Sequence, residues 1–176
     1  MLVPDSLPAR AAVALDATVR ALLVHDVLDG GRQVLTLPAD GALRVTVDRG
    51  AGTLRLDAFP EVEGEVGTAI GTVGAVVTVR GQPEGAYDDA TGHVEIEVPV
   101  HLNAQSFLAG DSDVTVALGS RGGVDEPDFT AEGDPFDAGD AVVRLVGRGT
   151  FEGGSLDGGT LWLVLDATVS EIESAA

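Results

Sequence analysis

The sequence predicts an all-β chain: a single antiparallel β-sandwich or a closed β-barrel of about eight to ten strands. Three observations lead there. Apolar residues recur at every second position over long stretches, a spacing that lines one face of a strand and not of a helix. Turn signals rich in Gly, Pro and Asp punctuate those stretches. Repeated strand-helix units are absent, which leaves a parallel α/β fold without support.

Residues 1 to 11, with Pro4 and Pro8, read as an N-terminal arm. From Val13 to Leu23 apolar positions alternate, and the pentapeptide LDATV at Leu15 to Val19 returns at Leu165 to Val169. A helical reading of this first segment has its own signals, with Ser6 as a cap and Gly30 as a stop. The period of two and the repeated pentapeptide favour a strand.

Asp29-Gly30-Gly31 marks a turn, and Gln33 to Leu37 forms a short strand stopped by Pro38. Asp40-Gly41 is a two-residue hairpin signal before the alternating Leu43, Val45 and Val47. Arg49 to Gly52 turns again into Thr53 to Ala58. Glu61, Glu63 and Glu65 on one face fit a solvent-facing edge, where like charges discourage further pairing. Thr72 to Arg80 is apolar on both faces around Ala75 to Val77. After the loop Gly81 to Gly92, Val94, Ile96, Val98 and Val100 face one way. Pro99 lacks an amide proton and marks an edge or a strand end.

Val114 to Leu118 is one more strand. Gly122 to Asp140 (122–140) is acidic, has little periodicity and reads as the one long loop. The clearest hairpin comes last: a β-branched strand from Val142, a turn rich in glycine, and Leu161, Leu163, Leu165, Ala167 and Val169 in alternation. Because both carry LDATV, the first and last strands read as equivalent elements that are neighbours closing the sheet.

A chain of 176 residues fits one domain (1–176) with a core that needs neither disulfide nor metal, and it holds no cysteine. Its formal charge is -19, from 29 acidic and 10 basic residues, every basic one an Arg. Such an acidic chain repels phosphate backbones, so nucleic acid and anionic membrane are poor partners. No apolar run approaches the ~18 residues of a membrane span, and no signal peptide is visible, so the expected chain is soluble.

Candidate chemistry is sparse. His93, Glu95, Glu97 and His101 share one strand face, but same-face positions lie about 7 Å apart, too far for one ion to take them all. Calcium is the one cofactor the loops would suit, through Asp111 and Asp113 or through Asp134, Asp137 and Asp140. The ordered spacing of a calcium loop is missing, and a solvated acidic loop fits better. Ser106, Ser112, Ser120 and Ser155 have no strand-turn-helix elbow and no clear nearby base, and phosphate-cradling motifs are absent. Trp162 and Val164 sit opposite the core face of their strand, so that face is covered by a second layer, another subunit or a cavity lining.

Two functions follow. The first is a non-catalytic acidic β domain, a structural component acting by self-association as a homo-oligomer; it rests on the doubly apolar strands at Ala21 to Val24, Ala75 to Val79 and Leu161 to Leu165. The second is a barrel that binds a small hydrophobic molecule, with Tyr87, His25 and Trp162 as the groups to examine in its pocket. VGRGTFEGG, Val146 to Gly154, resembles the Gly-Thr-Gly-x-Phe turn of allene-oxide-cyclase-like and dirigent-like barrels. That resemblance implies an apolar barrel interior and cofactor-free cyclisation; it assigns no site residues.

Overall fold

A computed structural model describes residues 7–37, 42–68, 71–104, 111–137 and 140–175. Fourteen strands follow in order: β1 Arg10–Val24, β2 Arg32–Leu37, β3 Ala42–Asp48, β4 Thr53–Ala58, β5 Val62–Thr68, β6 Gly71–Val79 and β7 Glu84–Tyr87. Then come β8 Val94–Ala104, β9 Asp111–Gly119, β10 Gly123–Glu126, β11 Phe129–Glu132, β12 Asp134–Asp137, β13 Val142–Thr150 and β14 Thr160–Ser174. Eight of these close into an antiparallel barrel, in the order β1, β3, β4, β7, β8, β9, β13, β14 and back to β1. Among the described residues no helix is long and apolar enough to cross a membrane.

Closure is made by the first and last strands. β1 and β14 pair from Ala11 with Ser174 to Val24 with Thr160, with one bulge beside Ala14. The two LDATV segments lie directly against each other, Leu15 opposite Val169, Ala17 opposite Ala167 and Val19 opposite Leu165. Antiparallel pairing of identical pentapeptides about their central residue puts Leu, Ala and Val inward on both strands. It also faces Asp16 and Thr18 with Thr168 and Asp166 on the outside.

Several strands divide their length between two partners. β1 pairs with β3 over Arg10 to Asp16 and with β2 over Val19 to Val24, so β2 and β3 are successive parts of one wall position. Asp40-Gly41 lies outside the described residues, and the strands flanking it do not form a hairpin; each pairs with β1 instead. β8 likewise pairs with β7 over Val94 to Ile96 and with β6 over Val100 to Ala104. β7 itself runs through the stretch expected to be a loop between Gly81 and Gly92.

Pro99 therefore sits in an interior strand rather than at an edge. Its carbonyl accepts from the Arg80 amide at 2.9 Å, beyond the end of β6, so the missing amide proton of Pro99 points where β8 changes partners.

Gly147 and Gly149 lie within β13, so VGRGT is strand and the chain reverses after it. A β-carbon on Gly147 would lie 1.8 Å from the Ala117 carbonyl oxygen, and one on Gly149 would lie 2.2 Å from that of Thr115. The glycines let β13 cross close over β9 as the wall curves.

The acidic segment 122–140 is not one long loop. It folds into β10 and β11, which pair as a hairpin from Gly123 with Glu132 to Glu126 with Phe129, and into β12, which extends the barrel sheet beside β13. Its alternation is short but real: Val124, Phe129 and Ala131 are buried, while Asp125, Glu126, Thr130 and Glu132 are exposed. These apolar side chains cover Leu22, Val146, Val164 and Trp162 on the outer face of the barrel. The second layer on β1 and β14 is thus the chain's own hairpin.

The main core lies inside the barrel. Inward positions of β8, β9 and β14 such as Val98, Val116 and Leu165 are buried, whereas Glu63, Glu65, Glu95 and Glu97 stand exposed outside. This polarity, apolar within and charged without, is the reverse of a lipid-embedded barrel.

Candidate functional site

Inward alternation from every wall strand produces a continuous apolar interior, and it is not completely filled. A cavity of about 140 Å³ runs among side chains such as Leu15, Leu43, Leu56, Val98, Leu102 and Leu165. Its wall exposes no polar atom. The volume is close to that of an engineered ~150 Å³ apolar cavity that stays dry and takes up benzene. Ala21 on β1 and Ala167 on β14 contribute single methyl groups to the lining where neighbouring positions carry Leu or Val, which leaves room beside the closing seam.

Both ends of the barrel are covered. At the upper end, where β1 finishes and β14 starts, Leu28, Phe151 and Leu156 are buried in the same core. At the lower end Leu7, Tyr87 and Phe136 border the cavity. Tyr87 is buried, and burial raises its hydroxyl above the ordinary phenol value, with Asp89 adding to the rise and Arg49 opposing it. Arg49 is held there by Asp89 at 2.7 Å and donates to the Leu7 carbonyl at 2.6 Å, so the lower rim ties the segment before β1 to the β3–β4 turn.

The other two candidate ligand contacts lie elsewhere. His25 stands on the upper rim, where its Nδ1 accepts from the Val27 amide at 3.0 Å and its Nε2 donates to the Asp157 carbonyl at 3.2 Å. The ring is used as a bracket between two connections. Trp162 packs on the outer cluster with the Arg148 guanidinium 5.5 Å from its ring centre. Of the three, only Tyr87 borders the cavity.

The acids are dispersed over the outside. Asp111 and Asp113 project from β9, Asp134 and Asp137 lie on β12, and Asp140 is exposed before β13. His101 Nδ1 lies 2.8 Å from Asp113 Oδ1 and 2.9 Å from Arg80 Nη2, and its Nε2 lies 3.6 Å from Asp111. The hydrogen bond to His101 holds the Asp113 carboxyl below its ordinary value, with Arg80 assisting. Among the described residues no three His, Asp or Glu side chains converge as a metal site.

The fold creates one pairing that strand periodicity does not reveal. Ser120 Oγ and His93 Nδ1 are 2.8 Å apart, a serine and imidazole brought together by the β8–β9 register. The same oxygen accepts from the Val94 amide at 2.9 Å, Ser120 is 1 % exposed, and Gly133 passes directly over its backbone. A substrate carbonyl has no approach to this hydroxyl, which instead fastens the start of β8. Ser106 lies outside the described residues, and Ser112 donates to the Gly153 carbonyl at 2.8 Å.

No protein-family model, curated protein or solved structure matches this chain.

Proposed function

We infer that the barrel binds a small, uncharged, apolar molecule in its interior. The observation that carries this reading is the 140 Å³ cavity with a wholly apolar wall. Such a wall offers burial and shape, roughly 25 cal/mol per Å² of apolar surface removed from water. It offers no partner for a charge, and a buried unpaired polar group costs free energy. Cyclisation would ask more of the site than shape. Tyr87 is the titratable side chain bordering the described cavity, and its hydroxyl is not part of the cavity surface. Binding is therefore favoured over catalysis.

The self-association reading rested on strands apolar on both faces. At Leu22, Trp162 and Val164 the β10–β11 hairpin supplies the cover, so those residues give a second chain no particular claim.

Titration with fluorobenzene, a neutral ligand of the cavity's size followed by fluorine NMR, tests the binding reading. Saturable binding is expected for the native chain. Ala167→Leu and Ala21→Leu, which fill the cavity from two levels, are each expected to weaken it by about tenfold, about 1.4 kcal/mol, with the circular dichroism of the native fold retained. Non-saturable binding to the native chain, or unaltered affinity in folded cavity-filling variants, would overturn it. Sedimentation across a range of concentrations checks self-association separately.

A further inference from the structure

Resting on that reading, we propose that the ligand reaches the cavity through the side of the barrel, between β2 and β5. Elsewhere around the wall, neighbouring strands are joined by hydrogen-bonded ladders. Among the described residues β2 is laddered only to β1 and β5 only to β6. The isolated bridge nearby joins Leu28, ahead of β2, to Thr68 at the end of β5. Parting this seam breaks fewer backbone hydrogen bonds than parting any laddered pair, so it is where the wall opens most readily.

Side chains agree with the backbone. Leu35 on β2 and, across the seam, Val62 on β5 with Phe59 just before it line the cavity. Outside, Val34 is 44 % exposed and Val24 is 40 % exposed, the large hydrophobic side chains most exposed among the described residues. Both lie at the β1–β2 corner, where they give an apolar molecule a place to leave water before it enters.

Gln33 acts as a latch. Its Nε2 donates to the Asp29 carbonyl at 3.2 Å, and its amide carbon lies 3.3 Å from where a β-carbon on Gly67 would stand. The side chain thus spans from β2 to β5 by contact, without a strand ladder. By contrast, both ends of the barrel are occupied by buried core side chains, Leu28, Phe151 and Leu156 above and Tyr87 below. An opening there requires unpacking the core itself.

The chain has no native cysteine, so the seam can be closed by one engineered disulfide. Gln33→Cys with Gly67→Cys places one thiol on each side of the seam, where the end of the native Gln33 side chain meets Gly67, and formation of the disulfide is verified by the loss of free thiols. Fluorobenzene exchange is followed by fluorine NMR magnetisation transfer before and after oxidation. Oxidation is expected to slow association and dissociation together by at least tenfold, with affinity preserved and fast exchange restored by reductant. An outward-facing control, Thr46→Cys with Arg55→Cys across the laddered β3–β4 pair, is expected to leave exchange unchanged.

Gln33→Ala provides an independent measurement needing no cross-link, with release expected to accelerate severalfold. Unchanged exchange in the oxidised seam variant, equal slowing by the control, or an unaltered release rate in Gln33→Ala would overturn the lateral route. A native chain that binds no fluorobenzene would instead remove the binding reading itself, before the route is in question.

Discussion

Tyr87 is the only tyrosine in the chain and Trp162 the only tryptophan, so each reports on its own surroundings without background. Burial raises the Tyr87 hydroxyl above its ordinary value of about 10. The neutral phenol is then favoured more in the folded state than in the unfolded one. Its contribution to stability is fully present below pH ~10 and is lost as pH rises through the folded value. Phenolate absorbance should therefore titrate with a midpoint above that of free tyrosine, and Tyr87→Phe should lessen the fall in stability on the alkaline side. A midpoint at the free-tyrosine value would show the ring to be solvated. At this scale the sequence is a partial guide. Period-two alternation correctly turns Leu161, Leu163 and Leu165 inward, yet it cannot say which inward residue borders a void. That depends on what stands across the barrel: Tyr87 ends a four-residue strand whose place is set by β4 and β8, and His25 falls just beyond the last wall residue of β1.

Among the elements, the β1–β14 pair was the most legible because its signal is doubled. Two copies of LDATV carry the same inward pattern, and they meet in register. The β10–β11 hairpin was hidden by its length and charge: four-residue strands offer only two inward positions each, and acids crowd the outward ones. Its weight rests on Phe129, which is 1 % exposed, stacks beneath Arg20 at 5.6 Å and packs in the same outer cluster as Trp162. Phe129→Ala removes a fully buried ring, a change that costs about 3–5 kcal/mol in a rigid core. Here the hairpin can lift away and leave the barrel closed, so the loss should be local. Trp162 emission is expected to move to the red and its quenching by acrylamide to increase, while far-ultraviolet circular dichroism and the main unfolding transition change little. Global unfolding of this variant would mean that the outer layer is required for closure. Asp40-Gly41 shows the opposite limit. Hairpin chemistry is local, whereas the choice of β1 as common partner is made across 8 to 18 positions for β2 and 26 to 38 for β3.

For the whole molecule, closure could be anticipated from the matching first and last strands, but the order of partners between them could not. Register is set where apolar faces meet in three dimensions, and a strand that changes partner midway, as β1 does between Asp16 and Val19, leaves no compositional mark. Charge, in contrast, is fully legible, and it bears on stability directly. With a formal charge of -19, compaction gathers carboxylates on the barrel exterior, as at Glu95 and Glu97, and self-repulsion opposes the folded state. Local ion pairs act the other way, among them Arg49 with Asp89 and Arg121 with Glu95. Such exposed pairs are individually weak, and salt weakens them too. Ten basic residues set against 29 acidic ones leave most carboxylates without a cation, so repulsion is the larger effect to be screened. Raising sodium chloride from ~0.01 M to ~0.5 M shortens the screening length from about 30 Å to a few ångströms. The melting temperature should climb by several degrees across that range and then level off, because one kcal/mol corresponds to roughly 2–4 °C for a domain of this size. A melting temperature that falls with salt would place the balance with the local pairs, and would make Arg49→Gln more damaging at low ionic strength than at high.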